Sequence, residues 1–207
     1  MSAAYTPPMR IITGKWKGRT IDAPQGGTTR PILDRVKESL FDRLGSRLGM
    51  PGSLPPIAVL ELFAGGGTLG LEALSRGAAF CCFVEKHRRA LAVLQRNLDA
   101  LDAGASAHPI RGDACAVEPP EPPDGLRYRL VFVDPPYVMT RDAQPAGIVG
   151  TLCRRLAEHP LLDSGALIVL RHETRIDFAA LASEPLTMDS RLVYGKMALT
   201  LLRVERT

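Results

Sequence analysis

Apolar and polar positions follow two regimes along this chain. From residue 57 onward, short unbroken apolar runs are separated by stretches with helical spacing. Residues 57–62 form one such run, as expected of a strand covered on both faces. Residues 68–75 are spaced as a helix, with Gly77 placed to end it. Residues 80–84 predict a second buried strand. Residues 86–101 predict an amphipathic helix with Leu91, Leu94, Leu98 and Leu101 on its inner face. A third strand falls near 107–111, a fourth at 130–133, a helix at 147–158 and a fifth strand at 166–171. Residues 191–194 and 197–203 read as a closing hairpin with Gly195 at its turn. Residues 118–125 carry four prolines, so they can be neither helix nor inner strand and are expected to form a surface loop.

Upstream of residue 57 the pattern is looser. Residues 1–9 read as a tail, 10–12 as a short extended piece, and 13–18 as the turn of a basic hairpin. Residues 24–31 are a flexible loop punctuated by Gly and Pro. Asp34 opens a helix with Val36, Leu40, Leu44 and Leu48 on one face, and residues 49–56 end it. No internal repeat is present. Strands alternating with helices imply a mostly parallel sheet with helices on both faces, whereas two final strands joined by a tight turn must pair antiparallel. The expected fold is α/β: a Rossmann-like, mostly parallel sheet with an antiparallel last strand, preceded by a small basic extension of hairpin, loop and helix.

Composition fits that picture. At 207 residues the chain is one large domain or a domain with an appendage. Its 45% hydrophobic and 23% charged residues are ordinary for a globular protein. A chain of this size buries about 70% of its unfolded surface and needs no disulfide or metal to fold. Charge is unevenly placed. Residues 1–50 hold nine basic and four acidic side chains, net +5, while the other 157 carry −1. A basic end on a near-neutral body suggests a polyanion partner. The division expected is therefore 1–50, a basic extension suited to a polyanion, and 51–207, a near-neutral domain. No run approaches the ~20 apolar residues of a membrane helix, and the N-terminus lacks an apolar signal core. Cys81, Cys82, Cys115 and Cys153 lack C-x-x-C spacing, so no metal site is expected; they read as reduced packing residues of a cytoplasmic protein.

Two segments carry chemistry. Glu61-Leu-Phe-Ala-Gly-Gly-Gly-Thr-Leu-Gly70 follows a strand and opens a helix, the context that makes a glycine-rich loop credible. Gly65 and Gly67 permit a sharp turn against a ligand, and Gly70 permits close packing of helix on sheet. Glu85, about 20 residues on at the end of the second strand, can accept both hydroxyls of a ribose. The layout serves NAD, FAD and S-adenosylmethionine alike. Glu61 sets a negative charge where a pyrophosphate would sit, which favours the cationic S-adenosylmethionine. The second segment is Val131-Phe-Val-Asp-Pro-Pro-Tyr137, an apolar strand running into an acid, a rigid double proline and an aromatic ring. Open α/β sheets bind ligands beyond the carboxyl ends of their strands, so Asp134 faces the same crevice as the glycine loop.

Asp134-Pro-Pro-Tyr137 resembles the motif of methyltransferases acting on exocyclic amino groups of bases. The wider pattern resembles the RsmD family. Its carriers are Arg10-Ile-Ile-Thr-Gly-Lys-Trp-Lys-Gly-Arg19, Thr29-Arg-Pro31, Asp34-Arg-Val-Lys-Glu-Ser-Leu-Phe41 and Phe63-Ala-Gly-Gly-Gly-Thr-Leu-Gly-Leu-Glu-Ala-Leu-Ser-Arg-Gly77. The likeness runs over residues 10–203. It departs at Ile32, where the family has Thr, at Gly66, where it has Ser, and in the proline-rich loop at 119–123.

The resemblance implies methyl transfer from S-adenosylmethionine to the exocyclic N2 of a guanine in small-subunit (16S) rRNA. It implies Asp134, Pro135, Pro136 and Tyr137 as the catalytic set. It implies Glu61, Phe63, Ala64, Gly65, Gly67, Glu85, Lys86, Asp113, Ala114 and Asp134 around the cofactor. Arg10, Lys15, Trp16, Lys17, Arg19 and Arg30 are expected to contact RNA, with Trp16 either stacking on a base or packing in the hairpin. The implied partner is 16S rRNA or a small-subunit assembly intermediate, met by a monomer. Three alternatives stand beside this: an adenine-N6 or cytosine-N4 amino-methyltransferase, a non-catalytic ribosome assembly factor, and an NAD-dependent oxidoreductase.

Overall fold

The computed structural model describes residues 9–24 and 32–206. The expected N-terminal tail, most of the 24–31 loop and Arg30 lie outside the described residues. β1 (Met9–Arg10) and β2 (Thr20–Ile21) form a two-stranded antiparallel ribbon, followed by α1 (Asp34–Arg47). The main elements are then β3 (Ala58–Leu62), α2 (Thr68–Ser75), β4 (Phe80–Glu85), α3 (Arg88–Ala100), β5 (Ala107–Arg111), β6 (Tyr128–Val133), α4 (Ile148–Glu158), β7 (Leu162–Glu173), β8 (Leu186–Tyr194) and β9 (Met197–Val204).

Seven strands make one sheet in the order β5-β4-β3-β6-β7-β9-β8. The pairs from β5 through β7 are parallel, and β9 is antiparallel to both β7 and β8, so the last strand lies inside the sheet. Strands of such a sheet send alternate side chains to opposite faces. Val59, Cys81, Phe83 and Phe132 join one core cluster with α1, α2 and α3, while Leu60, Cys82, Val84 and Val133 join a second with α4. The adjacent Cys81 and Cys82 accordingly point to different faces, and all four cysteines are free thiols.

The N-terminal extension shares the first cluster through Ile11, Trp16, Ile21, Val36, Leu40, Phe41 and Leu44. Its attachment is also polar. The fully buried Glu72 of α2 accepts the backbone N–H groups of Ile12 (2.9 Å) and Thr13 (3.0 Å), and the Nε–H of Arg76 (2.9 Å). Ser75 accepts from the Trp16 N–H and donates to the Thr13 carbonyl. Lys37 of α1, also buried, donates to the Arg10 carbonyl.

Three expectations from the sequence are corrected. The proline-rich segment is not wholly a surface loop: Pro119 and Pro122 are buried, the Tyr128 hydroxyl donates to the Pro120 carbonyl at 2.9 Å, and Pro123–Gly125 makes a short 3-10 turn. β7 begins at Leu162 rather than 166, because it continues past a register shift against β6 near Tyr128. β8 begins at Leu186 rather than 191. Its residues are mostly half-exposed, with a shift between Met188 and Ser190 that breaks the alternation a strand normally shows.

Candidate active site

The strand order reverses between β3 and β6, and that is where an open α/β sheet holds its ligand. The carboxyl ends meet there in register. Leu62 pairs with Val133, and the Asp134 N–H reaches the Leu62 carbonyl; the Ala64 N–H donates to the Val84 carbonyl, and the Gly112 N–H to that of Glu85. Glu61, Phe63–Gly67, Glu85, Asp113 and Asp134 therefore gather along one edge, although they are spread over more than 70 residues of sequence.

The glycine loop leaves β3 through Phe63, whose φ of +60° is unusual for a residue with a side chain, and turns again at Gly65 (φ +57°) and Gly67 (φ +81°). A side chain at Gly67 would also lie 2.5 Å from Leu94. At Gly70 the requirement is closeness alone: a Cβ there would meet Phe83 at 2.4 Å, Cys81 at 2.6 Å and Glu61 at 2.7 Å. At Gly65, by contrast, a Cβ would meet only Pro24, at 4.0 Å, among the described residues.

Two carboxylates hold this loop. Glu85 Oε2 accepts the Gly65 N–H at 2.8 Å and Oε1 accepts the His87 N–H at 2.7 Å. Glu61 accepts the N–H groups of Leu69 (3.1 Å) and Gly70 (2.8 Å), orphan donors of the first turn of α2. Glu61 is only 3% exposed, and burial pushes its pKa up to about 8, against the pull of those two hydrogen bonds. The open negative charge expected at Glu61 is thus replaced by a buried group that favours its proton at neutral pH. The charge argument against a pyrophosphate loses its force.

Further along the edge, Lys86 and Asp113 form an exposed ion pair at 2.7 Å. The pairing raises the Lys86 pKa and lowers that of Asp113, which also accepts the Cys115 N–H; Ala114, next in the chain, is buried. Among the described residues no three His, Cys, Asp or Glu side chains cluster in a way that would hold a metal.

Asp134 leaves β6 onto the double proline. Its Oδ2 accepts from Nη1 of Arg171 at 2.9 Å, while its buried Oδ1 has no hydrogen-bond partner among the described residues. Burial raises the Asp134 pKa, and the guanidinium beside it works in the opposite direction. Pro135 is buried, and Pro136 and Tyr137 are half-exposed. The Arg171 guanidinium carbon lies 5.8 Å from the centre of the Tyr137 ring.

The basic residues fare unequally. Arg10, Lys15, Lys17 and Arg19 are exposed. Arg10 pairs with Asp34 at 2.8 Å, Arg19 donates to the Ala100 carbonyl, and the Lys15 ammonium sits 4.3 Å above the Trp16 ring. Trp16 is 9% exposed within the core cluster, so of its two expected roles the hairpin-packing one is observed, and stacking on a base is not open to it in this conformation.

Three residues escaped the sequence reading. Arg171 is a charge at the end of an apolar strand. Glu72 is an acid in an otherwise apolar helix. Asn97 is an amide on the buried face of α3; it accepts the Asp22 N–H (2.8 Å) and donates to the carbonyls of Asp22 (3.0 Å) and Gly66 (2.8 Å). Each shows as a polar residue breaking an apolar face, but the pattern alone does not say which partner it meets. Gly66 lacks room for the family's usual Ser here, since a Cβ would lie 2.9 Å from the Asp22 carbonyl.

A family model described as "Conserved hypothetical protein 95", that of the RsmD family, matches residues 9–203. The chain belongs to the RsmD family. A Bacillus subtilis (strain 168) protein named as a candidate rRNA methyltransferase, YlbH, is 33% identical over 188 residues, 90% of this chain and 94% of its own length. The ribosomal RNA small subunit methyltransferase D of Escherichia coli (strain K12) is 38% identical over 133 residues, covering 62% of this chain and 60% of the relative. The solved structure of the Escherichia coli yhhF protein, described as a candidate methyltransferase, superposes with a TM-score of 0.75 at 30% identity, over 97% of this chain and 99% of that one. These relatives make this RsmD-family chain an rRNA methyltransferase with a Rossmann-like sheet. Its cofactor is S-adenosylmethionine, and a glycine loop held by two carboxylates at the carboxyl ends of β3 and β4 fits a group of that kind.

Proposed function

We propose that this RsmD-family protein methylates the exocyclic N2 of a guanine in small-subunit rRNA. The observation that carries the reading is the state of Asp134: half-buried on a rigid turn, with one carboxylate oxygen held by Arg171 and the other enclosed and without a hydrogen-bond partner among the described residues. A buried acceptor without a donor is costly, and an incoming N–H group would satisfy it. The amine of guanine is a weak nucleophile because its lone pair is delocalised into the ring. Acceptors that draw its hydrogens aside favour the tetrahedral nitrogen that reacts. Asp134 Oδ1 is one such acceptor, and the Pro135 carbonyl on the same turn is assigned as the second. The carboxylate also stabilises positive charge developing on nitrogen and can take its proton. S-adenosylmethionine, when bound, supplies the electrophilic methyl group.

Tyr137 is assigned to stack on the base, which must leave any duplex to reach the crevice. Glu85 is assigned to the ribose, Asp113 with Lys86 to the adenine edge, and the Phe63–Gly67 backbone with Glu61 to the methionine portion. Arg10, Lys15, Lys17 and Arg19 present positive charge from the ribbon to RNA phosphates, which predicts salt-dependent binding. A ribosomal substrate puts the enzyme in the cytoplasm, and no helix among the described residues is long and apolar enough to cross a membrane.

The test is incubation with labelled S-adenosylmethionine and either naked 16S rRNA or small-subunit particles, followed by nucleoside analysis. N2-methylguanosine is the expected product, and the better substrate identifies the partner. N6-methyladenosine, N4-methylcytidine or no product rejects the reading. Asp134→Ala is expected to lower turnover at least a thousandfold while cofactor affinity stays within about threefold. Unchanged turnover would remove Asp134 from the mechanism.

A further inference from the structure

We propose that Arg171 is the positioning residue of this site: it fixes the Asp134 carboxylate so that one oxygen alone faces the substrate amine, and it holds the Tyr137 ring beside that acid. The proposal rests on the methyltransferase reading above and deepens it.

The sheet itself brings the pair together. β6 and β7 are parallel neighbours in which Phe132 pairs with Val169 and Val133 with Leu170, so the next positions along are Asp134 and Arg171. Phe132 and Val169 lie in one core cluster, Val133 and Leu170 in the other. By the two-residue period of a strand, the following pair returns to the first face together. The salt bridge of 2.9 Å between Nη1 and Oδ2 is what that register predicts for a long side chain beside a short one.

Arg171 is only 3% exposed and directly follows the buried apolar run 166–170 of β7. Arginine is almost never buried to this degree without a partner, because removing a guanidinium from water costs more than packing returns. A cation placed there at such cost has a consequence for its neighbour. It engages Oδ2 and leaves Oδ1 as a free acceptor, which converts a symmetric carboxylate into one with a single open position. The same guanidinium lies 5.8 Å from the Tyr137 ring centre, so one side chain spans both functional side chains of the Asp134-Pro-Pro-Tyr137 turn. That turn is otherwise held by its two prolines, which fix its backbone and not its side chains.

The titratable groups coupled to Asp134 are Arg171 from β7 and Glu61 from β3, which favours its proton at neutral pH and also feels Glu85 at the end of β4. Burial favours the protonated form of Asp134, and a protonated carboxyl is a poor acceptor for an amine. Arg171 is the one cation among these groups, and it opposes that effect.

The experiment measures single-turnover methyl transfer to the RNA substrate from pH 5 to 9 with saturating S-adenosylmethionine, for wild type, Arg171→Lys, Arg171→Gln and Arg171→Met. Asp134→Ala serves as reference, and cofactor affinity and thermal unfolding are measured for each protein. The expected result is a rate at pH 7 lowered about tenfold to a hundredfold in Arg171→Met, partly regained toward pH 9 as the acidic limb of the profile moves up. Arg171→Lys should recover much of the loss and Arg171→Gln less, with cofactor affinity changed no more than about threefold in each. Should the Met variant fail to fold, the Lys and Gln pair decides: Lys must exceed Gln, and the gap must narrow as pH rises. A loss independent of pH, or a Lys variant no better than Gln, overturns the proposal and leaves Arg171 as packing. A fully active Asp134→Ala would instead overturn the methyltransferase reading itself.

Discussion

Glu72 is the point at which the basic extension is fastened to the catalytic sheet, and replacing it with Gln tests that fastening. Three donors converge on its carboxylate: the N–H groups of Ile12 and Thr13 and the Nε–H of Arg76. The residue is fully buried and Arg76 is 4% exposed. A Gln keeps the volume but offers a single acceptor oxygen, and its amide NH2 is turned toward a donor. It also leaves the Arg76 guanidinium with only the distant Asp42 carboxylate at 3.9 Å and the face of Phe41. Removing one partner from a buried ion pair costs about 3–5 kcal/mol. For a domain of this size each kcal/mol moves the melting temperature by about 2–4 °C, so the variant should melt about 6–20 °C lower. Thermal unfolding followed by circular dichroism reads the global loss, and amide hydrogen exchange at Ile12 and Thr13 reads the local one. Both amides should lose protection by at least tenfold. A melting temperature within 2 °C of wild type, with both amides still protected, would show that the extension is held by its apolar contacts and that the buried acid contributes nothing.

Two further outcomes follow from buried polar groups. Glu61 has a folded-state pKa near 8, against an ordinary value of 4.5, so the native state binds the extra proton. Its contribution to stability is full below about pH 4.5 and is lost as pH rises through 8. Glu61→Gln should therefore show a shallower decline of melting temperature between pH 5 and pH 8.5 than wild type, and equal slopes would contradict the pKa assigned to burial. Asn97→Ala removes the three hydrogen bonds that the amide makes to the Asp22 backbone and the Gly66 carbonyl, a loss of about 2–3 kcal/mol. Calorimetry should find S-adenosylmethionine bound about tenfold more weakly, and unchanged affinity would mean that the glycine loop holds its shape without that amide.

The parallel part of the fold was legible because its strands are buried on both faces and so appear as unbroken apolar runs, as at 57–62 and 80–84. The proline-rich loop and β8 were read less well for opposite reasons. Buried prolines look like punctuation whether or not they pack, and a half-exposed strand with a bulge shows no clean alternation. The Gly65–Gly67 loop and the Asp134–Tyr137 turn stood out because their residue types are forced by backbone geometry. Arg171, Asn97 and Glu72 did not, since a lone polar residue on an apolar face announces burial without naming its partner. Trp16 was ambiguous for a related reason: an aromatic ring suits a base or a core equally well, and only the packing of Ile11, Ile21 and Leu40 in the same cluster decides it.

The inserted position of β9 bears on the order in which the protein can be completed during synthesis. β7, which carries Arg171, has β6 on one side and β9 on the other, with Arg171 paired to Leu199. Until residues 197–204 have emerged, β7 is an edge strand and β8 has no neighbour in the sheet. The glycine loop and its carboxylates draw on residues 61–97 and can assemble early, whereas the cation beside Asp134 gains its second flank only when the last strand slides between two already made. A chain stopped short of Met197 would retain every residue of the cofactor crevice while exposing the strand that steadies its acid. Emergence of β9, rather than formation of the glycine loop, is then the step that closes the sheet around Arg171.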